Sequence, residues 1–310
     1  MALTGVIRPG HIQLRMLDLE AGVHHSRDVL GLEETGRDDQ GRVYLKTWDE
    51  RDHSSVILRR PTRPAWTSSA SRCSTKPALD QLERAVQDYG IETTRLPAGE
   101  MLETGERVRF VIPTGHQFEL YATKTLVGNP LGTNNPKSWC PDSDRGIAPV
   151  RFDHALLYGP DVLGVLDLFT NVLGFHLTEY VTLPDSDEKG ALWLSCSNKA
   201  HDIALVVHPE PDRFHHVSFL LDSWRRAAAA QIMAVNDVPV DIGPTQHGIT
   251  RGGTIYAWDP CGQPVRDLPG RHRALPGLGA DGLDLGRTRR RRRLDMSKRV
   301  LHDTFLSIVT

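Results

Sequence analysis

Fourteen of the 310 residues are histidine, and the second half of the chain spaces several of them as metal or acid–base chemistry would require. His154 lies in the apolar run RFDHALLYG, His215 and His216 open another in RFHHVSF, and His201 and His247 stand nearby in sequence. A metal site built on strands takes its donors from separate strands that point into one cavity, so the ligands are scattered along the chain. Two neutral imidazoles and one carboxylate, with adjacent positions left open, make the facial triad of non-haem Fe(II) centres that activate O₂. A lone strand histidine is more often structural. Two at equivalent strand starts, with His201 and His247 nearby, favour the metal.

The elements that must carry these side chains are written twice. Gly10-His11, an apolar run and Leu30-Gly31-Leu32 in the first half answer Asp153-His154, an apolar run and Leu173-Gly174-Phe175 in the second, with the histidine 20 residues before the glycine each time. Each copy closes on a turn, Pro113-Thr114-Gly115 and Pro260-Cys261-Gly262. So long a repeat means two tandem domains of one ancestry. Alternation predicts strands over 6–17, 42–48, 54–58, 107–112 and 117–121, and helical spacing predicts helices over 19–30 and 78–89, stopped by Gly31 and Gly90. The second half repeats the order: strands 151–158, 178–183, 191–196, 202–207, 215–221 and 253–258, helices 161–173 and 222–234. Each half thus holds two strand–helix–strands units. The expected division is an N-terminal domain over 1–126, a Pro/Asn/Gly/Ser-rich linker over 127–149 and a C-terminal catalytic domain over 150–310.

Net charge is −2 with a pI near 6.7, which gives no polybasic basis for nucleic-acid binding. No apolar stretch approaches the ~20 residues that span a bilayer, and the first residues lack a signal-peptide succession. Four cysteines without a CxxC pair read as reduced thiols, hence a cytoplasmic protein. Two windows break the pattern, 60–77 and 263–294, the second with Arg289 to Arg293 in a row. Taken literally they read as a disordered loop and a basic tail.

The strings RFDHALLYG, KAHDIALVVHPE, RFHHVSF, DIGPTQHG and TIYAWDPCG, with RPGHIQLRMLDLE, DDQGRVYLK and GHQFELYA in the first half, resemble the catechol 2,3-dioxygenases. These are extradiol ring-cleaving enzymes of the vicinal oxygen chelate superfamily. The resemblance implies an α+β fold of two tandem domains, each of two βαβββ modules forming an open barrel. It implies Fe(II) in the second domain, held by His154 and His216, with His201 as base or proton shuttle and His247 and Tyr256 on the substrate's oxygens. It implies catechol and substituted catechols with O₂ as substrates, and a homotetramer. His11 becomes a relic.

The third ligand departs from that pattern. The family places a glutamate six residues after the turn proline; from Pro260 that position is Arg266, whereas the same count from Pro113 gives Glu119. Arginine is always protonated and has no lone pair for a metal. Synonymous codons for Gly262 to Pro269, moved by one base, read G-N-R-C-E-T-F and put glutamate in the Arg266 slot. A shifted frame through 60–77 yields DFIGFKV, a strand otherwise missing, so both windows read as frame errors. Three rivals remain: a metal-free small-molecule-binding protein of the same fold, an inactive variant lacking the third iron ligand, and a glyoxalase-like isomerase or thiol transferase.

Overall fold

The computed structural model describes residues 5–60, 68–128, 145–183, 186–222, 225–261, 264–269 and 280–284. The first half builds an eight-stranded sheet in the order β2-β3-β4-β1-β5-β8-β7-β6, and the second a nine-stranded sheet in the order β14-β15-β16-β13-β9-β12-β11-β10-β17. The first sheet comprises β1 (Val6–Arg15), β2 (Glu33–Arg37), β3 (Val43–Lys46), β4 (Val56–Arg59), β5 (Ser68–Cys73), β6 (Thr94–Leu96), β7 (Arg107–Val111) and β8 (Gln117–Tyr121). Its helices are α1 (Leu19–His24) and α2 (Lys76–Asp88). The second half runs β9 (Arg151–Gly159), α3 (Val162–Asp167), β10 (His176–Thr182), β11 (Lys189–Ser195), β12 (Ile203–Val207), β13 (Arg213–Leu221), α4 (Arg225–Val235), β14 (Val240–Gln246), β15 (Gly253–Trp258), β16 (Pro264–Pro269) and β17 (Asp281–Asp284). Each sheet therefore joins two βαβββ units, with one short strand added to the second.

Local signals account for the helices. Asp18 caps α1 by accepting from Ala21 N–H at 3.0 Å, and Thr75 caps α2 by accepting from Ala78 N–H at 3.2 Å. Both α1 and α3 run on into a π-helical turn, His25–Val29 and Leu168–Val172, before Gly31 and Gly174 take the left-handed backbone at φ +82° and +76°. At Gly31 a Cβ would lie 2.2 Å from the Arg145 carbonyl oxygen, so glycine is required by close approach as well as by φ. Leu79, Leu82 and Val86 bury one stripe of α2.

The unit-to-unit seam sets the site geometry. In the first sheet β1 pairs antiparallel with β5, which pairs parallel with β8; in the second β9 pairs antiparallel with β13, which pairs parallel with β16. The halves meet through Phe118 and Phe169, edge to face at 5.1 Å. His116 Nε2 donates to the Arg213 carbonyl at 2.9 Å across the same seam.

Two expectations need correction. The window 60–77 is not all coil: β5 occupies Ser68–Cys73 as written, buried apart from half-buried Arg72. The low strand propensity of Ser-Ser-Ala-Ser is overridden because the free edge of β1 must be paired. The second window likewise contains β16 and β17, while Arg289 to Arg293 lie outside the described residues. At the end of the expected linker, Ile147 and Ala148 donate to the Val29 and Leu30 carbonyls at 3.0 and 2.8 Å. Strands β2, β6 and β14 escaped sequence reading; β2 is polar, β6 is short, and β14 contains Gly243-Pro244, which reads as a turn.

Candidate metal and substrate site

His154 sits on β9, flanked by β12 and β13, and is fully buried. On β13, Ser218 lies opposite His154, and His216 opposite Leu156, so the two histidines are diagonal neighbours on adjacent strands. Their Nε2 atoms are 3.3 Å apart, with the rings at 84°. Two nitrogens each ~2.1 Å from one ion and roughly at right angles are ~3 Å apart, so this spacing suits a shared metal. Each ring's other nitrogen is engaged: Nδ1 of His154 with Asp153 Oδ2 at 2.7 Å, and Nδ1 of His216 with His215 Nδ1 at 2.6 Å. The register slips between Phe214 and His216, leaving His215 as the extra residue of a bulge, a device that re-aims side chains.

The remaining candidates converge on this pair. His201, just before β12, is fully buried with its ring 4.2 Å from that of His154 and 6.4 Å from Trp193. Tyr256 on β15 is buried, 5.4 Å from the His216 ring, and its hydroxyl is 3.0 Å from Nε2 of half-buried His247. The loop after His247 is held by Glu179, whose carboxylate accepts from Thr250 N–H at 3.1 Å. Sequence reading missed Asp153 and the bonded role of His215, although the Asp-His and His-His dipeptides were visible.

At the third position the backbone of Arg266 pairs with Ser218 on β13 and with Tyr256 on β15. In the first half Glu119 pairs with Ala70, which pairs with His11. His11–Ala70–Glu119 and His154–Ser218–Arg266 are thus the same register line, and counting from the turn prolines agrees. There Glu119 Oε2 reaches to 3.8 Å from His11 Nε2. Ser68 takes the register slot of His216 and is bonded by Gln13 at 2.8 Å. Two imidazole donors fit a divalent ion; the third slot, as written, supplies none. Among the described residues no set of three His, Cys, Asp or Glu side chains is arranged as metal ligands.

Comparisons with known proteins identify the family. The catechol 2,3-dioxygenase-like N-terminal domain profile matches residues 69–125, and that of the glyoxalase/bleomycin resistance protein/dioxygenase superfamily matches 151–266. The chain is 43% identical to a metapyrocatechase of Pseudomonas sp. (strain CF600) across 99% of both chains. It is 29% identical to a manganese-dependent 2,3-dihydroxybiphenyl 1,2-dioxygenase of Geobacillus genomosp. 3 over 81% of each. The solved 2,3-dioxygenase LapB from Pseudomonas sp. KL28 superposes with a TM-score of 0.89 at 52% identity, covering 92% of this chain and 100% of that one. With the vicinal oxygen chelate fold, two facing imidazoles and relatives matched end to end, the chain belongs to the metapyrocatechase, or catechol 2,3-dioxygenase, family of extradiol dioxygenases.

Proposed function

We propose that the protein opens catechol and substituted catechols beside the diol with O₂, giving 2-hydroxymuconate semialdehyde from catechol, at Fe(II) held by His154 and His216. Arg266 supplies no lone pair at the third position, so the activity requires a carboxylate in that slot. The observation that carries the reading is the pair of buried Nε2 atoms 3.3 Å apart with the His201 ring alongside at 4.2 Å from His154. A divalent ion held by His154 and His216 would supply Lewis acidity toward a substrate hydroxyl. The chain's own residues do the rest. His201 accepts and returns a proton at its imidazole, while Tyr256 and His247, bonded to each other, present donors to the substrate's oxygens. Burial of His154, His201 and His216 excludes water from the reacting face.

Relatives that name either metapyrocatechase activity or manganese dependence support a non-haem metal; the choice of iron belongs to this proposal, as do a cytoplasmic homotetramer and the order of residue roles. Among the described residues no helix is long and apolar enough to cross a membrane. The rival metal-free binding protein draws on the Arg266 slot alone. A glyoxalase-like site would take ligands from both halves, whereas the imidazole pair lies within one. The test is Fe(II) and catechol in air. The Arg266→Glu protein should turn the solution yellow while the chain as written stays colourless. A folded, iron-supplied Arg266→Glu protein that neither binds metal nor opens the ring overturns the proposal.

A further inference from the structure

The two register-equivalent histidines meet opposite chemistry at Nδ1. In the second half Asp153 Oδ2 lies 2.7 Å from His154 Nδ1. Asp153 is itself clamped by Lys199, whose Nζ donates to the Asp153 carbonyl at 2.6 Å, stands 3.4 Å from its carboxylate and reaches Asp202 at 2.8 Å. In the first half the group at His11 Nδ1 is the Lys124 Nζ, at 3.1 Å, which also donates to the Ser54 carbonyl at 2.8 Å. A carboxylate can only accept and an ammonium can only donate. His154 must therefore carry a proton on Nδ1, and the neutral ring turns its Nε2 lone pair toward His216. His11 must accept at Nδ1, so its proton sits on Nε2, turned toward Glu119 at 3.8 Å with no lone pair on that side.

We infer that Asp153 and Lys124 hold the two equivalent histidines in opposite tautomers, and that this pair of positioning residues reserves metal binding for the C-terminal half. The metal part rests on the function proposed above; the tautomers do not. Supporting groups agree. Burial together with the Lys124 charge pushes the His11 imidazolium down to about 3, so the ring is neutral with a single proton to place. Burial lowers Lys124 to about 7, which keeps it charged on the acid side of neutrality. Glu119, which could otherwise attract a cation, is already paired with Arg107 at 2.8 Å and Arg109 at 2.6 Å.

Imidazole ¹⁵N and ¹³C shifts of the metal-free full chain at pH 6 test the first part. The expected result is Nδ1–H on His154 and Nε2–H on His11; the same tautomer on both, or the reverse, overturns the inference. Co(II) titration of the Arg266→Glu protein tests the second. Asp153→Leu should weaken Co(II) binding by about 10–100-fold, with Asp153→Asn, whose amide oxygen still accepts, recovering part of it. Equal affinity in the Asp153→Leu protein overturns the positioning role. If Co(II) binds none of these proteins, the metal reading fails and the tautomers alone decide.

Discussion

Replacing Arg266 by glutamate is the perturbation that asks most of the structure. The first half supplies the geometry: a glutamate on the same register line brings its carboxylate to 3.8 Å from the histidine two strands away. The substitution therefore adds an oxygen donor at the distance a shared ion needs, and it removes a permanent positive charge from the same backbone position. A single pair of unit charges 4 Å apart is worth ~4 kcal/mol at the effective dielectric of a partly solvated site, which is about a thousandfold in Kd. A divalent ion facing a carboxylate in place of a guanidinium should gain at least that. Co(II) titration followed by its visible absorption should show micromolar or tighter binding in the variant against millimolar or none in the parent, at a stoichiometry of one per chain. Circular dichroism must first show the fold unchanged. A folded variant with the parent's Co(II) affinity would falsify the register equivalence and, with it, the assignment of the third ligand.

Other consequences can be checked more simply. His201→Phe in the Arg266→Glu background should cut kcat by about 10²-fold or more while leaving catechol affinity nearly unchanged; equal loss in both would assign His201 to packing. Phe169→Ala removes a fully buried ring that packs on Phe118 across the two halves, and should cost about 3–5 kcal/mol in a urea unfolding curve; a cost under 1 kcal/mol would mean that the seam carries little of the stability. Burial pushes His116 down to about 4, below the ordinary ~6.5. The unfolded chain therefore binds the extra proton first, and stability is complete above about pH 6.5 and falls as pH drops toward 4, by ~3 kcal/mol from this residue. His116→Gln should flatten the urea midpoint over that window, and an unchanged slope would assign the acid sensitivity to other groups. Sequencing the gene across both odd windows decides the origin of Arg266; an open frame as written makes the arginine genuine.

The register also bears on why the windows misled. Residues 68–73 carry no β-branched or aromatic side chain, so nothing in Ser-Ser-Ala-Ser-Arg-Cys announces a strand, yet β1 on one side and β8 on the other pair it. The strand is dictated by the two partners, with small residues fitting the buried slot. The roles of Asp153 and Lys124 could not be read in one dimension for a related reason. A carboxylate beside a ligand histidine and a lysine 113 residues from His11 look alike on paper, and only their placement at Nδ1 separates them.

By itself the sequence determined the doubled architecture and the helix stops at Gly31 and Gly90, and it singled out His154, His201, His216, His247, Tyr256 and Arg266 as candidates. Periodicity, punctuation and internal repetition are local or self-referential signals, and they survive in one dimension. Tertiary structure decided the 3.3 Å approach of two imidazoles from different units, the bulge at His215, the pairing of β5, and which nitrogen of each histidine is turned inward. Those depend on strand register and on through-space donors and acceptors, which only folding brings together.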